Sequence, residues 1–174
     1  MSAPDKKIIR KIGFCRDQEG IMNRYFREQK RWNVHLQNAR KFISESFRNS
    51  PVRSVGLLGS GWLLDVPLAE LSSRFDMVLL LDIRHPAEVR QMARRFDNVV
   101  LEETDLSGGA VAHCWNLKQK IKRKEPVSLT GDMHLEIPVF SYDPDALVSL
   151  NILNQLNGIL LDFLDADKYF QHPE

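Results

Sequence analysis

The run Val55-Gly56-Leu57-Leu58-Gly59-Ser60-Gly61 places a Gly-x-Gly turn at the end of an apolar segment, and 21 residues beyond Gly61 a second apolar run, Leu79-Leu80-Leu81, closes with Asp82. That is the spacing of a βαβ unit that grips a nucleoside. Gly59 and Gly61 lack a Cβ, so the turn can adopt unusual dihedrals while its backbone approaches a ligand. A carboxylate at the end of the second strand can accept hydrogen bonds from both ribose hydroxyls. Taken alone, Gly-x-Gly is equally a packing turn between a strand and a helix. The spacing to Asp82 and a third apolar run, Asn98-Val99-Val100-Leu101-Glu102-Glu103-Thr104-Asp105, favour the ligand reading, with an adenosine-containing cofactor as the ligand.

The rest of the chain supplies alternating strands and helices. A short segment near Ile8 to Ile12 and a long stretch over 20–48 read as helical, the latter stopped by Asn49-Ser50-Pro51. Strand 1 is expected at 53–58, helix A at 63–73, strand 2 at 77–82, helix B at 86–95 with Pro86 in its first turn, and strand 3 at 98–103. A helix over 108–122 ends in Lys118, Lys120, Lys122, Arg123 and Lys124, cations that suit a solvated helix C-terminus. Residues 125–144, holding Pro126, Gly131, Pro138 and Pro144, read as a long connection; strand 4 follows at 145–151 and a last helix at 154–168. This alternation predicts a mostly parallel sheet in a three-layer α/β/α, Rossmann-like arrangement, with ligands at the carboxyl ends of the strands. Residues 1–50 form an N-terminal helical extension and 51–174 the cofactor-binding domain.

Composition bounds the remaining classes. With 43% hydrophobic and 27% charged residues over 174 positions, the chain suits one sizeable core. Met1-Ser2-Ala3-Pro4-Asp5 lacks a signal-peptide core and no apolar run approaches bilayer length, so a cytoplasmic protein away from membranes is expected. Cys15 and Cys114 lack metal or disulfide spacing, and His113, His134 and His172 have no ligand-like spacing with Cys or acidic partners, so no metal is expected. The net charge of +1 conceals an imbalance: residues 1–53 hold 13 of the 24 Lys and Arg against five acids. Such a segment can be a nucleic-acid arm. The favoured account is a docked amphipathic helix, because Met22, Tyr25, Trp32, Leu36, Ala39, Ile43 and Phe47 recur at three-, four- and seven-residue spacings and form one apolar stripe.

The residues quoted above resemble the class I S-adenosylmethionine-dependent methyltransferases. In that family a Gly-x-Gly loop follows strand 1, an acid ending strand 2 holds the ribose, and an Asp after strand 3 lies near the adenine amino group; Gly59-Ser60-Gly61, Asp82 and Asp105 match in order. Closer still, Gly59-Ser60-Gly61-Trp62-Leu63-Leu64-Asp65-Val66-Pro67-Leu68, Leu81-Asp82-Ile83-Arg84-His85-Pro86 and Ser149-Leu150-Asn151-Ile152-Leu153-Asn154-Gln155-Leu156 are similar to a bacterial subgroup of methyltransferase-like proteins, over roughly residues 20–160. The chain departs from the family at Leu57, where an acid usually stands and for which Asp65 can substitute. Leu64 occupies the place of the third dinucleotide-fingerprint glycine, which weighs against NAD or FAD.

The resemblance implies S-adenosylmethionine as cofactor, bound by Gly59, Ser60, Gly61, Asp65, Asp82 and Asp105, and strand 1 lying between strands 2 and 4. It places Asn151 and Gln155, after strand 4, near the transferred methyl or its acceptor; Asn151 is equally a turn-forming residue. Trp32 and His35 lie on a helix that in many such enzymes closes over the cofactor, although core packing for Trp32 and solvent exposure for His35 are the plainer expectations. His85 either lines the ribose pocket or caps helix B. His113 and Trp115 need no chemical role. The family sheet has seven strands, and with about 23 residues after strand 4 the chain is expected to be truncated, leaving strand 4 an open apolar edge that pairs in a homodimer. Three functions follow: a methyltransferase of unknown acceptor, a non-catalytic nucleotide- or S-adenosylmethionine-binding module or truncated relic, and, most distantly, an NAD-linked oxidoreductase. The acceptor is open among small molecule, protein and RNA, with nucleic acid not favoured.

Overall fold

The computed structural model describes residues 5–128, 133–152 and 155–165. Along the chain these form α1 (Lys6–Ile12), α2 (Phe14–Ser46), β1 (Ser54–Leu58), α3 (Leu68–Arg74), β2 (Met77–Asp82), α4 (Ala87–Ala93), β3 (Val99–Glu103), α5 (Ala110–Lys122), β4 (Ala146–Ser149) and α6 (Gln155–Asp165). The strands make one sheet in the order β3-β2-β1-β4, and each pairing is parallel. β1 therefore lies between β2 and β4, and the fold is α/β of the Rossmann-like kind.

Burial on both faces explains the continuous apolar run of β2, where Val78, Leu79, Leu80 and Leu81 have no exposed surface. One face carries Val55, Leu57, Val78 and Leu80, packed with Leu68 and Leu71 of α3, Val89 and Ala93 of α4, and Ile43 and Phe47 at the end of α2. A separate cluster joins Val111 and Cys114 of α5 to Ile12 and Leu160. The first two strand connections thus carry their helices on one side, while the return from β3 to β4 carries α5 on the other. Moving in opposite directions from β1, these connections open a crevice between β1 and β4 at the carboxyl edge.

Several boundaries differ from expectation. The glycine turn does not open a helix at residue 63; α3 begins only at Leu68. Leu63 holds φ 57°, and Pro67, which has no N–H and disfavours helix at Val66, stands just before the first helical residue. The long helix begins at Phe14 rather than near residue 20 and is bent at Glu28, whose backbone leaves helical geometry (φ −120°, ψ 23°). Strand 4 is four residues long because Asn151 turns into the left-handed region at φ 52°, a conformation that Asn tolerates better than most residues. Its start is pinned by Asp145, whose Oδ2 accepts from the N–H groups of Arg53 and Ser54 at 2.8 and 2.9 Å. Of the last helix expected over 154–168, Gln155–Asp165 falls within the described residues, and 166–168 lie outside them.

Most of the apolar stripe on α2 turns inward: Leu36, Ile43 and Phe47 are buried, and Met22, Tyr25, Trp32 and Ala39 are half-buried. Among the described residues no helix is long and apolar enough to cross a membrane, and no group of three or more His, Cys, Asp or Glu could hold a metal ion. Cys15 and Cys114 are both free thiols.

Candidate functional site

The carboxyl ends of β1, β2 and β3 and the chain after β4 form the floor of a cavity of about 630 Å³, and the inner face of α2 from Phe14 to Leu36 arches over it. That volume is ordinary for a small-molecule site. Gly59, Ser60, Gly61, Asp65, Asp82, Asp105, Asn151 and Gln155 all line the cavity, as do Trp32 and His35 from α2. Phe14 and Leu156, at the two ends of the lining, therefore share one concave surface although nearly the whole described chain lies between them.

The turn after β1 is tightly constrained. Gly59 (φ +77°) approaches the chain leaving β4 so closely that a Cβ there would lie 3.0 Å from Ile152 Cβ and 3.1 Å from the Leu150 carbonyl oxygen. Gly61 (φ +44°) has more room, with Asp82 Oδ2 3.8 Å from the place of a Cβ. Four of the turn amides are already committed. Gly59 and Ser60 donate to the Leu81 carbonyl at 2.8 and 3.2 Å, Leu63 donates to the Ser60 carbonyl at 2.8 Å, and the Gly61 N–H goes to Asp82 Oδ2 at 2.8 Å. Phosphate sites at such turns need convergent free N–H groups. This one offers instead close backbone approach beside a carboxylate.

Asp82 is 9% exposed. Its Oδ1 accepts from Gln18 Nε2 at 3.2 Å and, weakly, from the Arg84 N–H at 3.3 Å. Burial pushes its pKa up to about 6, opposed by the backbone donors of Gly61, Arg84 and Ile83, while the nearby Glu103 raises it further. A carboxylate offers about four lone-pair positions, so these contacts do not exhaust its acceptor capacity. Asp105 is buried, and its Oδ1 accepts from the Ser107 N–H at 2.9 Å and from the Ser107 hydroxyl. Asp65 Oδ2 accepts from Asn151 Nδ2 at 3.1 Å, linking the turn after β1 to the chain leaving β4. The turn conformation of Asn151 and its place on the cavity wall thus coexist.

His85 corrects its expectation. It does not line the cavity; it is 1% exposed and lies behind the glycine turn, with Nε2 3.0 Å from Ser60 Oγ. Its backbone N–H donates to Glu103 Oε1 at 2.9 Å, and Glu103 also pairs with Arg90. Burial pushes the imidazole pKa down to about 4, with Glu103 opposing and Arg90 reinforcing the shift, so the ring is neutral at physiological pH. A serine beside a neutral histidine invites comparison with a nucleophile and its base. Here Nδ1 is buried without a hydrogen-bond partner, so no acid orients the ring, and His85 serves as a support for Ser60.

Five polar lining residues escape sequence reasoning: Asp17, Gln18, Arg24, Arg31 and Ser107. The helical spacing of Phe14, Gln18, Ile21, Arg24 and Arg31 is the available signal, obscured when α2 is started near residue 20. The arch is fastened by Trp62, whose indole Nε1 donates to the Gln18 carbonyl at 2.7 Å, and by Arg40, which donates to the Leu64 carbonyl. Among the remaining candidates, His35 is exposed at the cavity wall and Trp32 is half-buried there, with Tyr25 edge-on at 6.1 Å between ring centroids. No family model matches the chain, and no curated protein or solved structure matches it either.

Proposed function

We propose that the cavity binds S-adenosylmethionine and that the chain is a methyltransferase. The observation that carries this reading is the convergence of Gly61, Asp82 and Asp105 on one cavity at the crevice between β1 and β4. Asp82 has acceptor capacity for the ribose hydroxyls, Gly61 keeps the adjoining wall low, and Asp105 offers a carboxylate for an amino group. Asp17, Asp65, Asp82 and Asp105 outnumber Arg24 and Arg31 in the lining, and the acids concentrated on the floor favour a cationic group there. The committed amides of Gly59, Ser60, Gly61 and Leu63 weigh against a phosphate there, and hence against ATP or a dinucleotide; the late start of α3 weighs the same way.

When bound, this ligand supplies a methyl group on a sulfonium. The protein's own contribution is alignment and exclusion of water, which can remove much of the barrier to such a displacement. Asn151 and Gln155 carry no titratable group, so their place in this scheme is to orient the acceptor. The same observation favours a second reading, a nucleoside-binding module without catalysis.

Calorimetric titration with S-adenosylhomocysteine, NAD and ATP tests the ligand class. Binding of S-adenosylhomocysteine is expected, and at ~100 times its Kd it should stabilise the fold by about 2.7 kcal/mol. Binding of NAD or ATP without S-adenosylhomocysteine refutes the proposal. Transfer of a labelled methyl group across an acceptor panel then separates the enzyme from the module.

A further inference from the structure

The charged residues on the floor of the cavity are all acids, Asp65, Asp82 and Asp105, whereas the arch above it carries Arg24 and Arg31 beside the single acid Asp17. Arg24 and Arg31 both line the cavity from the inner face of α2, seven residues apart, which is about two helical turns. Neither takes part in a hydrogen bond or salt bridge with the described residues. The aspartates of the floor are engaged elsewhere: Asp82 by Gly61 and Gln18, Asp105 by Ser107, Asp65 by Asn151. The two exposed arginines therefore border a cavity whose floor acids already have partners, and Asp17 on the same helix forms no salt bridge with either of them. Between them the helix bends at Glu28, and the ring of Trp32, held edge-on by Tyr25, adds an aromatic surface next to Arg31.

We propose that the arch is a second subsite for an anionic small molecule, a carboxylic acid or phosphate monoester with an apolar body, its charge held by Arg24 and Arg31 and its body against Trp32. Guanidinium groups suit both anions through paired N–H donors. Resting on the reading of the floor as a nucleoside site, this makes the methyl acceptor an acid, bound opposite the nucleoside in the same cavity.

The test uses benzoate and inorganic phosphate as probes, with benzamide as the neutral control, titrated by calorimetry into the full chain with and without saturating S-adenosylhomocysteine. Benzoate and phosphate are expected to bind, benzamide to bind far more weakly, and the Arg24→Gln/Arg31→Gln double variant to lose about tenfold or more in anion affinity, as loss of charge-assisted contacts implies. Affinity for S-adenosylhomocysteine should stay within about twofold of the unaltered protein, because its nucleoside rests on the floor. Arg31→Lys, which keeps the charge and loses the fork, should retain more phosphate than benzoate affinity. Unchanged anion affinity in a folded double variant overturns the proposal, as does equal binding of benzamide or a parallel loss of S-adenosylhomocysteine, which would assign the arginines to the nucleoside ligand. Should S-adenosylhomocysteine fail to bind at all while the anions bind and the double variant loses them, the reading of the floor falls and the anion subsite stands.

Discussion

Asp82 and His85 both contact the glycine turn, at Gly61 and at Ser60, and shift in opposite senses, which makes their replacement a sharp test of the site geometry. Asp82 is held at about 6 in the folded chain against an ordinary value of 3.8, and His85 at about 4 against an ordinary 6.5. A raised carboxylate pKa means that the folded state binds more protons than the unfolded chain between pH 3.8 and 6, so Asp82 costs stability as pH rises through that window. The depressed imidazole works in the other direction: the unfolded chain binds more protons between pH 4 and 6.5, and stability is lost as pH falls through that range. At about 1.36 kcal/mol per pH unit, each effect amounts to about 2–3 kcal/mol between pH 4 and 6.5, and the two oppose.

Replacing one group unmasks the other. Relative to the unaltered protein, the unfolding free energy of Asp82→Asn should rise by about 2 kcal/mol between pH 4 and pH 6.5, and that of His85→Gln should fall by a similar amount over the same range. Each substitution also carries a pH-independent cost, which displaces a curve without tilting it. Asp145, whose pKa is lowered chiefly by the Arg53 N–H and the Ser54 hydroxyl, tilts every curve alike and cancels in the differences. Urea denaturation at pH 4.0, 5.0 and 6.5 supplies the measurement. A difference for Asp82→Asn that is flat with pH would mean that the carboxylate is not buried beside Gly61 as described.

Three further outcomes are expected. Gly61→Ala forces an L side chain to φ +44° and should lower unfolding free energy by about 1–2 kcal/mol, as read from the urea midpoint; a neutral result would place the turn in another conformation. Trp62→Phe removes the donor to the Gln18 carbonyl and should cost about 1 kcal/mol while accelerating amide exchange in residues 14–28 more than in β1 and β2; uniform acceleration would argue against a local fastening. Leu147 on β4 is 52% exposed and β4 is the sheet edge among the described residues, so if that edge pairs between copies, Leu147→Lys should abolish a concentration-dependent dimer seen by light scattering; a dimer that survives the charge uses another surface.

Legibility in the sequence follows the physical origin of each signal. β1 and β2 are readable because a parallel strand buried on both faces must be apolar throughout, as Leu79-Leu80-Leu81 is. The order of strands is accessible only through the family resemblance, since no local pattern tells β4 to pair with β1. Helix A starts later than composition suggests because Leu63 and Leu64 look helical, whereas the positive φ of Leu63 and the start after Pro67 are set by how the turn closes on Leu81. Nearness in sequence to Asp82 points His85 toward the pocket. The structure turns it inward because the backbone after β2 donates to Glu103, a residue of β3 that no sequence spacing connects to it. Gln18 and the arginines of the arch escape for a related reason: a solvated polar residue on an amphipathic helix and one facing a cavity have the same periodicity.

Folding does not require a charge at Asp82. A neutral residue could accept the Gly61 N–H, and the strand would end as well without a buried carboxylate that at neutral pH costs about 2–3 kcal/mol of desolvation relative to its protonated form. A local penalty of that size at the edge of a cavity is the pattern expected where a group serves binding at the expense of stability. It also gives ligand binding a pH dependence of known sign. Only the ionised group accepts from two hydroxyls at full strength, so affinity for a nucleoside should weaken as pH falls below about 6, over the same interval in which acid relieves the folding penalty. Ligand-induced stabilisation and intrinsic stability should therefore move in opposite directions with pH in the part of each that Asp82 controls, and both dependences should vanish together in Asp82→Asn. A carboxylate retained only to tie down the glycine turn would lose its folding dependence in that variant and leave nucleoside affinity, with its pH profile, unaltered.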